Sequence, residues 1–368
     1  MAIKFFTSES VCSGHPDKIA DGISDTLLDA LLSQDPDTRA GIETVVGDNQ
    51  IILLGEVKTS AKIDFESIAR DYVSSLGYTK PEWGFSASSN FLNFVHQQSP
   101  EISIGVDNQG AGDQGMMFGF AVNETKNLMP MPITLAHALT RKIDQVRTDR
   151  VVDWLRPDGK AQVTVAYQGD KPVYVEKVVI AVAHSEDKSA EEVKNEIVKY
   201  VIEPVLNEYG YQLPKINSII VNGTGLWFIP GPASDAGLTG RKIVVDGYGG
   251  YARVGGGAFS GKDASKVDRS GAYAARYIAK NVVSRGLADK CEVALAYVIG
   301  QPQPLMQTIE TFGTSKVADN EISKFAENLI DTSVSGIIKK LNLKKAIFSK
   351  TTNYGHFGKD GLPWEKIS

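Results

Sequence analysis

The sequence predicts an α+β protein made of three similar α+β domains related by a pseudo-threefold axis. Three observations carry that expectation. The chain has 368 residues, which suits two or three domains of ordinary size better than one core. One order of elements, helix then apolar hairpin then helix, recurs three times along it. The short strands alternate poorly with polar residues, as strands do when helices bury at least one face of their sheet. So long a repeat marks domain duplication and not a solenoid. The units are drawn at residues 1–100, 101–226 and 227–368, with interleaving allowed.

In the first unit Ile19, Ile23, Leu27, Leu28 and Leu31 fall on one stripe, which predicts a helix from Asp17 to Ser33. Strands follow at Gly41–Val46 and Gln50–Val57, joined by Gly47-Asp48-Asn49, then a helix from Asp64 to Leu76 with Asp64 as its cap. The second unit repeats this with a helix at Pro132–Val146 and strands at Gln162–Tyr167 and Val173–His184 around Gly169-Asp170. Ser189, with Glu192 three residues on, reads as a capping box opening a helix toward Leu206. The third unit offers a helix at Asp268–Arg285, strands at Glu292–Ile299 and Leu305–Thr311, and one helix from Asn320 to Leu341. The signals Ala111-x-Asp113-x-Gly115 and Ala233-x-Asp235-x-Gly237 match between units and stand before two of the helices. Two long loops, 97–112 and 223–261, have the length of binding loops or lids.

Composition narrows the function classes. With 42% hydrophobic and 23% charged residues the chain is expected to be globular, and its net charge of -5 argues against a general nucleic-acid binder. Any polyanion must be held by a local basic pocket. Two distant cysteines, Cys12 and Cys291, without metal or redox spacing suggest a reducing compartment. The start lacks a long apolar leader and no run approaches the roughly 18–20 apolar residues of a membrane span. A cytoplasmic location without membrane partners is the expectation.

Four segments carry chemistry. Gly14-His15-Pro16-Asp17-Lys18 stands where a helix N-terminus would offer free N–H groups to phosphate. There His15 and Lys18 supply donors, and Asp17 is a hard oxygen ligand for Mg²⁺. A capped helix with a surface His and Asp accounts for the same letters. Gly110-Ala111-Gly112-Asp113-Gln114-Gly115 spells G-x-G-x-x-G, but Asp107-Asn108-Gln109 before it make no strand, so a dinucleotide site is not expected. Arg156-Pro157-Asp158-Gly159-Lys160 reads first as a turn, with Lys160 free to point into a cleft. The densest stretch runs from Gly225 to Asp268: Asp235, Arg241-Lys242, the run Gly255-Gly256-Gly257-Ala258-Phe259-Ser260-Gly261, then Lys262, Lys266 and Asp268. Glycines let backbone approach phosphates that Arg and Lys neutralise. A loop through Lys266 is expected, with Asp268 beside the N-cap of the next helix. No Walker A pattern, zinc cluster or G-x-S-x-G elbow occurs, so phosphate electrostatics is favoured over covalent catalysis.

Together GHPDK, GAGDQG and GGGAFSGKD, in this order, resemble the S-adenosylmethionine synthetase family over essentially the whole chain. The resemblance implies three similar α+β domains, and homodimers or homotetramers with active sites at the subunit interface. It implies attack of the methionine sulfur on C5′ of ATP, with release and cleavage of tripolyphosphate. Carried over residue by residue, His15 contacts the ATP phosphates, Asp17 and Asp268 hold Mg²⁺ (two ions per site) and Glu43 holds K⁺. Asp158, Lys160, Arg241, Lys242, Ala258 and Lys262 become nucleotide contacts. Glu56, Gln98, Asp113, Asp235 and Lys266 face methionine or the product, Asp235 also facing ATP, and Gln98 opens the family's active-site loop. The family's N-P-T-G-R-F-V-I-G-G-P is here Asn222-Gly223-Thr224-Gly225-Leu226-Trp227-Phe228-Ile229-Pro230-Gly231-Pro232. Trp227 thus replaces the adenine-stacking Phe, Leu226 an Arg and Pro230 a Gly. The expected leaving-group stabilisers are His15, Lys160, Arg241 and Lys262. An ATP or polyphosphate hydrolase, or a catalytically silent regulatory homologue, remains an alternative reading of the same cleft.

Overall fold

The computed structural model describes residues 2–97 and 110–368. Its first stretch runs β1 (Ile3–Val11), α1 (Pro16–Gln34), β2 (Arg39–Gly47), β3 (Gln50–Lys58), α2 (Phe65–Ser75) and β4 (Asn90–Gln97). The second repeats the order: β5 (Gly115–Val122), α3 (Met131–Thr148), β6 (Leu155–Gln168), β7 (Lys171–His184), α4 (Ala190–Ile197), α5 (Glu203–Glu208) and β8 (Ile219–Val221). The third has β9 (Gly237–Leu238), the short α6 (Ile243–Asp246), α7 (Val267–Ser284), β10 (Lys290–Tyr297), β11 (Met306–Glu310), α8 (Asp319–Leu329) and α9 (Val334–Leu341).

The three sheets do not follow the three stretches. Their orders are β4-β3-β2-β9, β1-β6-β7-β8 and β11-β10-β5. Each hairpin keeps its own strands and takes one edge strand from another stretch. β1 pairs antiparallel with β6, β5 with β10 and β9 with β2. The exchange is cyclic, and in each case the donated strand lies against the first strand of the hairpin. The repeated Ala-x-Asp-x-Gly signals end at Gly115 and Gly237, the first residues of the donated strands β5 and β9. They precede those strands directly, with α3 and α7 coming later.

Helices α1, α3 and α7 close the sheets, and apolar burial holds the layers. Ile19, Ile23, Leu27 and Leu31 join Ile42, Val46, Ile51 and Leu53 in one core, while Leu135, Leu139 and Ile143 pack with Val163, Val165 and Ile180 in another. Each such side chain contributes about 1.5–3 kcal/mol on full burial. Asp64 caps α2 through the Ser67 N–H, and Ser189 with Glu192 forms the expected capping box.

Three expectations need correction. The helix begun at Ser189 is interrupted by a π-helical turn at Val198–Ile202 before α5. The helix drawn from Asn320 to Leu341 is two, because Ile330 is extended (φ -154°) and Ser333 starts α9 by accepting the Gly336 N–H. Pro157-Asp158-Gly159 is no turn between elements; it lies inside β6, at a register irregularity between Leu155 and Gly159.

Candidate active site

Strand exchange assembles the first group of polar residues. The β1–β6 register sets Val11 opposite Lys160, and the Cys12 N–H donates to the Gly159 carbonyl at 2.8 Å. GHPDK therefore lies against RPDGK. Gly14 is required by this approach, since a Cβ there would stand 2.3 Å from the Pro157 carbonyl oxygen. His15 is the N-cap of α1, its Nδ1 accepting the Asp17 N–H at 3.2 Å. Burial, aided by Lys242, pushes the His15 imidazole down to about 3, so it is neutral with its proton on Nε2. Burial alone would raise Asp17, but the Lys242 ammonium at 2.5 Å and the Leu238 N–H at 3.0 Å outweigh it and hold its carboxyl below the usual range. Arg241 approaches the same carboxylate at 3.5 Å, and its side chain stays half exposed. Lys160 is exposed beside this group.

Asp158 is buried, and burial pushes its carboxyl up to about 7. Its Oδ2 accepts the Gly231 N–H at 2.9 Å, while Oδ1 is buried without a hydrogen-bond partner among the described residues. Trp227 is tied to the end of β7: its carbonyl accepts the His184 N–H at 2.9 Å and its indole N–H donates to Ile229 at 2.8 Å. Asp235 is exposed just before β9.

A second group lines a cleft of about 570 Å³ beside β2 and β3. Glu43, Glu56, Asp113, Ala258, Lys262 and Lys266 all face it. Lys262 Nζ stands 2.5 Å from Asp268, in the first turn of α7, and Lys266 Nζ 2.8 Å from Asp263. Glu56 and Lys266 flank Gly41, whose strand pairs with both β3 and Lys262. The glycine run packs onto Asp268, since a Cβ on Gly257 would fall 2.2 Å from its carboxyl carbon. Gly110 to Gln114 run as a loop into a strand and open no helix, which removes the remaining dinucleotide reading.

The structure thus brings the predicted residues together as two groups, one around Asp17 and one around Lys262. Among the described residues no ion pair or hydrogen bond joins Asp17, Arg241 or Lys242 to Lys262, Lys266 or Asp268. Gln98 lies outside the described residues. Lys18 is a correction: only 1% exposed, it is held by Asp21 at 2.9 Å and by Asp246, and reaches no ligand. Sequence reasoning also missed Arg39, Thr239, Ser260 and Ser265 in the cleft lining. None belongs to a spaced pattern, except that Ser260 sits inside the glycine run.

Among the described residues no three His, Cys, Asp or Glu side chains converge to enclose a metal. Asp17 and Asp268 nonetheless fit Mg²⁺. Each now holds a lysine ammonium at 2.5 Å, and Mg²⁺ in phosphate chemistry takes one or two carboxylates with phosphates and water.

Comparison with known proteins identifies the family. The chain matches the N-terminal domain of S-adenosylmethionine synthetase over residues 3–100, the central domain over 108–227 and the C-terminal domain over 229–366. It is 48% identical over 374 aligned positions to the S-adenosylmethionine synthase of Treponema denticola, covering 99% of this chain and 96% of that one. A buried helix start capped by His15, a glycine run over a carboxylate and matches along nearly the whole length lead to one assignment: the chain belongs to the S-adenosylmethionine synthetase family, and it is an enzyme that forms S-adenosylmethionine from ATP and methionine.

Proposed function

We propose that the reaction runs in clefts completed between two copies of the chain, one supplying the Asp17 group and the other the Lys262 group. The observation that carries this is the outer face of the first sheet. There Leu54, Leu92, Phe94 and Leu238 are exposed, at 41%, 44%, 58% and 38%. Register puts them on one face with Glu43 and Glu56, since Leu54 pairs with both Glu43 and Phe94, and Glu56 with Gly41. A continuous apolar face of this kind marks an interaction surface, and an isologous pair covers it twice. A second copy seated there closes the cleft that holds Glu43 and Glu56.

In that cleft the methionine sulfur attacks C5′ of ATP. The S–C5′ bond forms, the C5′–O bond breaks, and its electron pair leaves with tripolyphosphate. A thioether has no proton to lose, so no general base is needed, which suits a site with neutral His15. The chain's task is alignment, worth about 7–11 kcal/mol, and stabilisation of the leaving group by preorganised charge, about 2.7–4 kcal/mol per contact. Lys160, Arg241, Lys242 and Lys262 supply that charge, and neutral His15 adds a hydrogen bond from Nε2. Asp158, Trp227 and Ala258 hold the nucleoside; Glu56, Asp113, Asp235 and Lys266, with Gln98, orient methionine. Asp17 and Asp268 would hold two Mg²⁺ and Glu43 a K⁺; Mg²⁺ supplies charge neutralisation along the triphosphate. Water then cleaves tripolyphosphate to pyrophosphate and phosphate.

Product analysis tests this. Purified protein with ATP, Mg²⁺ and K⁺ should yield S-adenosylmethionine, pyrophosphate and phosphate only when methionine is added. Phosphate released equally without methionine, and no sulfonium product, would mean a hydrolase instead.

A further inference from the structure

Helix α1 carries a carboxylate at every fourth position: Asp17, Asp21, Asp25 and Asp29. The three beyond Asp17 hold no place in the reaction described above. Each of the four nevertheless accepts backbone N–H groups from the last third of the chain. Asp17 accepts from Leu238 at 3.0 Å, Asp21 from Gly240 at 2.8 Å and Asp25 from Gly261 at 2.9 Å. Asp29 accepts from Phe348 and Ser349, both at 2.9 Å. Two rungs are also clamped by buried cations. Lys18 bridges Asp21 to Asp246, at the far end of the segment that carries Arg241 and Lys242. Arg269 grips both oxygens of Asp25 at 2.7 Å and donates to the Lys262 carbonyl at 3.2 Å.

We infer that Asp21 and Asp25 are positioning residues for the triphosphate, Asp21 acting through Arg241 and Lys242 and Asp25 through Lys262. The helix rises about 1.5 Å per residue, so successive rungs lie about 6 Å apart along a rigid rod. That rod sets the offset of the two cationic loops within one subunit. Gly261 sits at φ +79° and its N–H is the one fixed by Asp25, so the Lys262 backbone inherits its direction from that rung. Asp29 is the comparison rung: it anchors residues 348 and 349, which carry no cation of their own and meet the Asp25 clamp only indirectly, through the Phe348 ring 4.1 Å from the Arg269 guanidinium. The inference rests on the proposed role of Lys242 and Lys262 as phosphate ligands.

The test measures inorganic tripolyphosphate affinity and thermal midpoint for Asp21→Asn, Asp25→Asn and Asp29→Asn in the full chain. All three should lower the midpoint. Asp21→Asn and Asp25→Asn should weaken tripolyphosphate binding by about tenfold, the size of one charge-assisted contact, and Asp29→Asn, which meets Arg269 only through the Phe348 ring, by much less. In a Lys262→Met background, Asp25→Asn should add no further loss, because its effect passes through that lysine. If Asp25→Asn does not fold, Arg269→Lys replaces it, keeping a cation on Asp25 while losing the Lys262 carbonyl bond. Wild-type affinity in the Asp21 and Asp25 variants, or an equal loss in Asp29→Asn, overturns the inference. If Lys242→Met and Lys262→Met themselves bind as wild type, the reading of the site falls with it.

Discussion

Two inactive variants should restore each other if the cleft is shared between copies. The perturbations are Lys242→Met, which disables the Asp17 group, and Lys262→Met, which disables the other. Both lysines are mostly buried, 21% and 25% exposed, and each sits 2.5 Å from a carboxylate proposed to bind metal. Loss of one such preorganised charge should lower turnover about 10²–10³-fold in either pure variant. Mixing equal amounts under conditions that allow subunit exchange gives, by chance, half of the dimers as hybrids. A hybrid holds one cleft with both lesions and one with none. The mixture should therefore recover about one quarter of wild-type activity, a consequence of isologous pairing. The assay is S-adenosylmethionine formation before and after reassembly, with a mass measurement to verify hybrid formation. Verified hybrids with activity no higher than either parent would show that each cleft is built within one chain.

Other outcomes are equally specific. Lys160→Met should cut turnover about 10²–10³-fold in steady-state assays; a variant within threefold of wild type removes Lys160 from the mechanism. Asp17→Asn should shift the Mg²⁺ dependence of activity to higher concentration, and an unchanged titration refutes its role as a ligand. Asp158, held at about 7 against a reference near 3.9, binds a proton in the folded state that the unfolded state has lost between those values. Its contribution therefore falls as pH rises from about 4 to 7, by at most about 4 kcal/mol. Denaturant unfolding at pH 5 and pH 8 should show a smaller loss on raising pH in Asp158→Asn than in wild type. If two copies pair through the first sheet as proposed, Phe94→Asp should run as a monomer on a sizing column and lose synthesis together, since a charge would then face the apolar partner surface.

Legibility differed from element to element. The helices and the hairpins stood out because periodicity is local: Ile19, Ile23, Leu27 and Leu31 repeat at helical spacing whatever packs against them. The site segments stood out because phosphate chemistry needs glycine and cations within a few residues of each other. The acidic residues of α1 carry no such local signal. Asp17, Asp21 and Asp25 are all buried, because loops far away in sequence bring N–H groups and cations to them. Lys18 is misread for the same reason, its partner Asp246 lying beyond any local window.

The sequence by itself determined the family, the reaction and the segments from which the candidate site is drawn, all of which depend on short-range spacing and on chemistry that few residue types supply. Only the tertiary structure decided the cyclic exchange of β1, β5 and β9 between sheets, the separation of the site residues into two groups and the burial of the α1 carboxylates. Strand pairing and ion pairing are made in space. A strand's edge accepts any complementary backbone, and a buried carboxylate any N–H or cation that reaches it, so neither choice leaves a mark in the letters nearby.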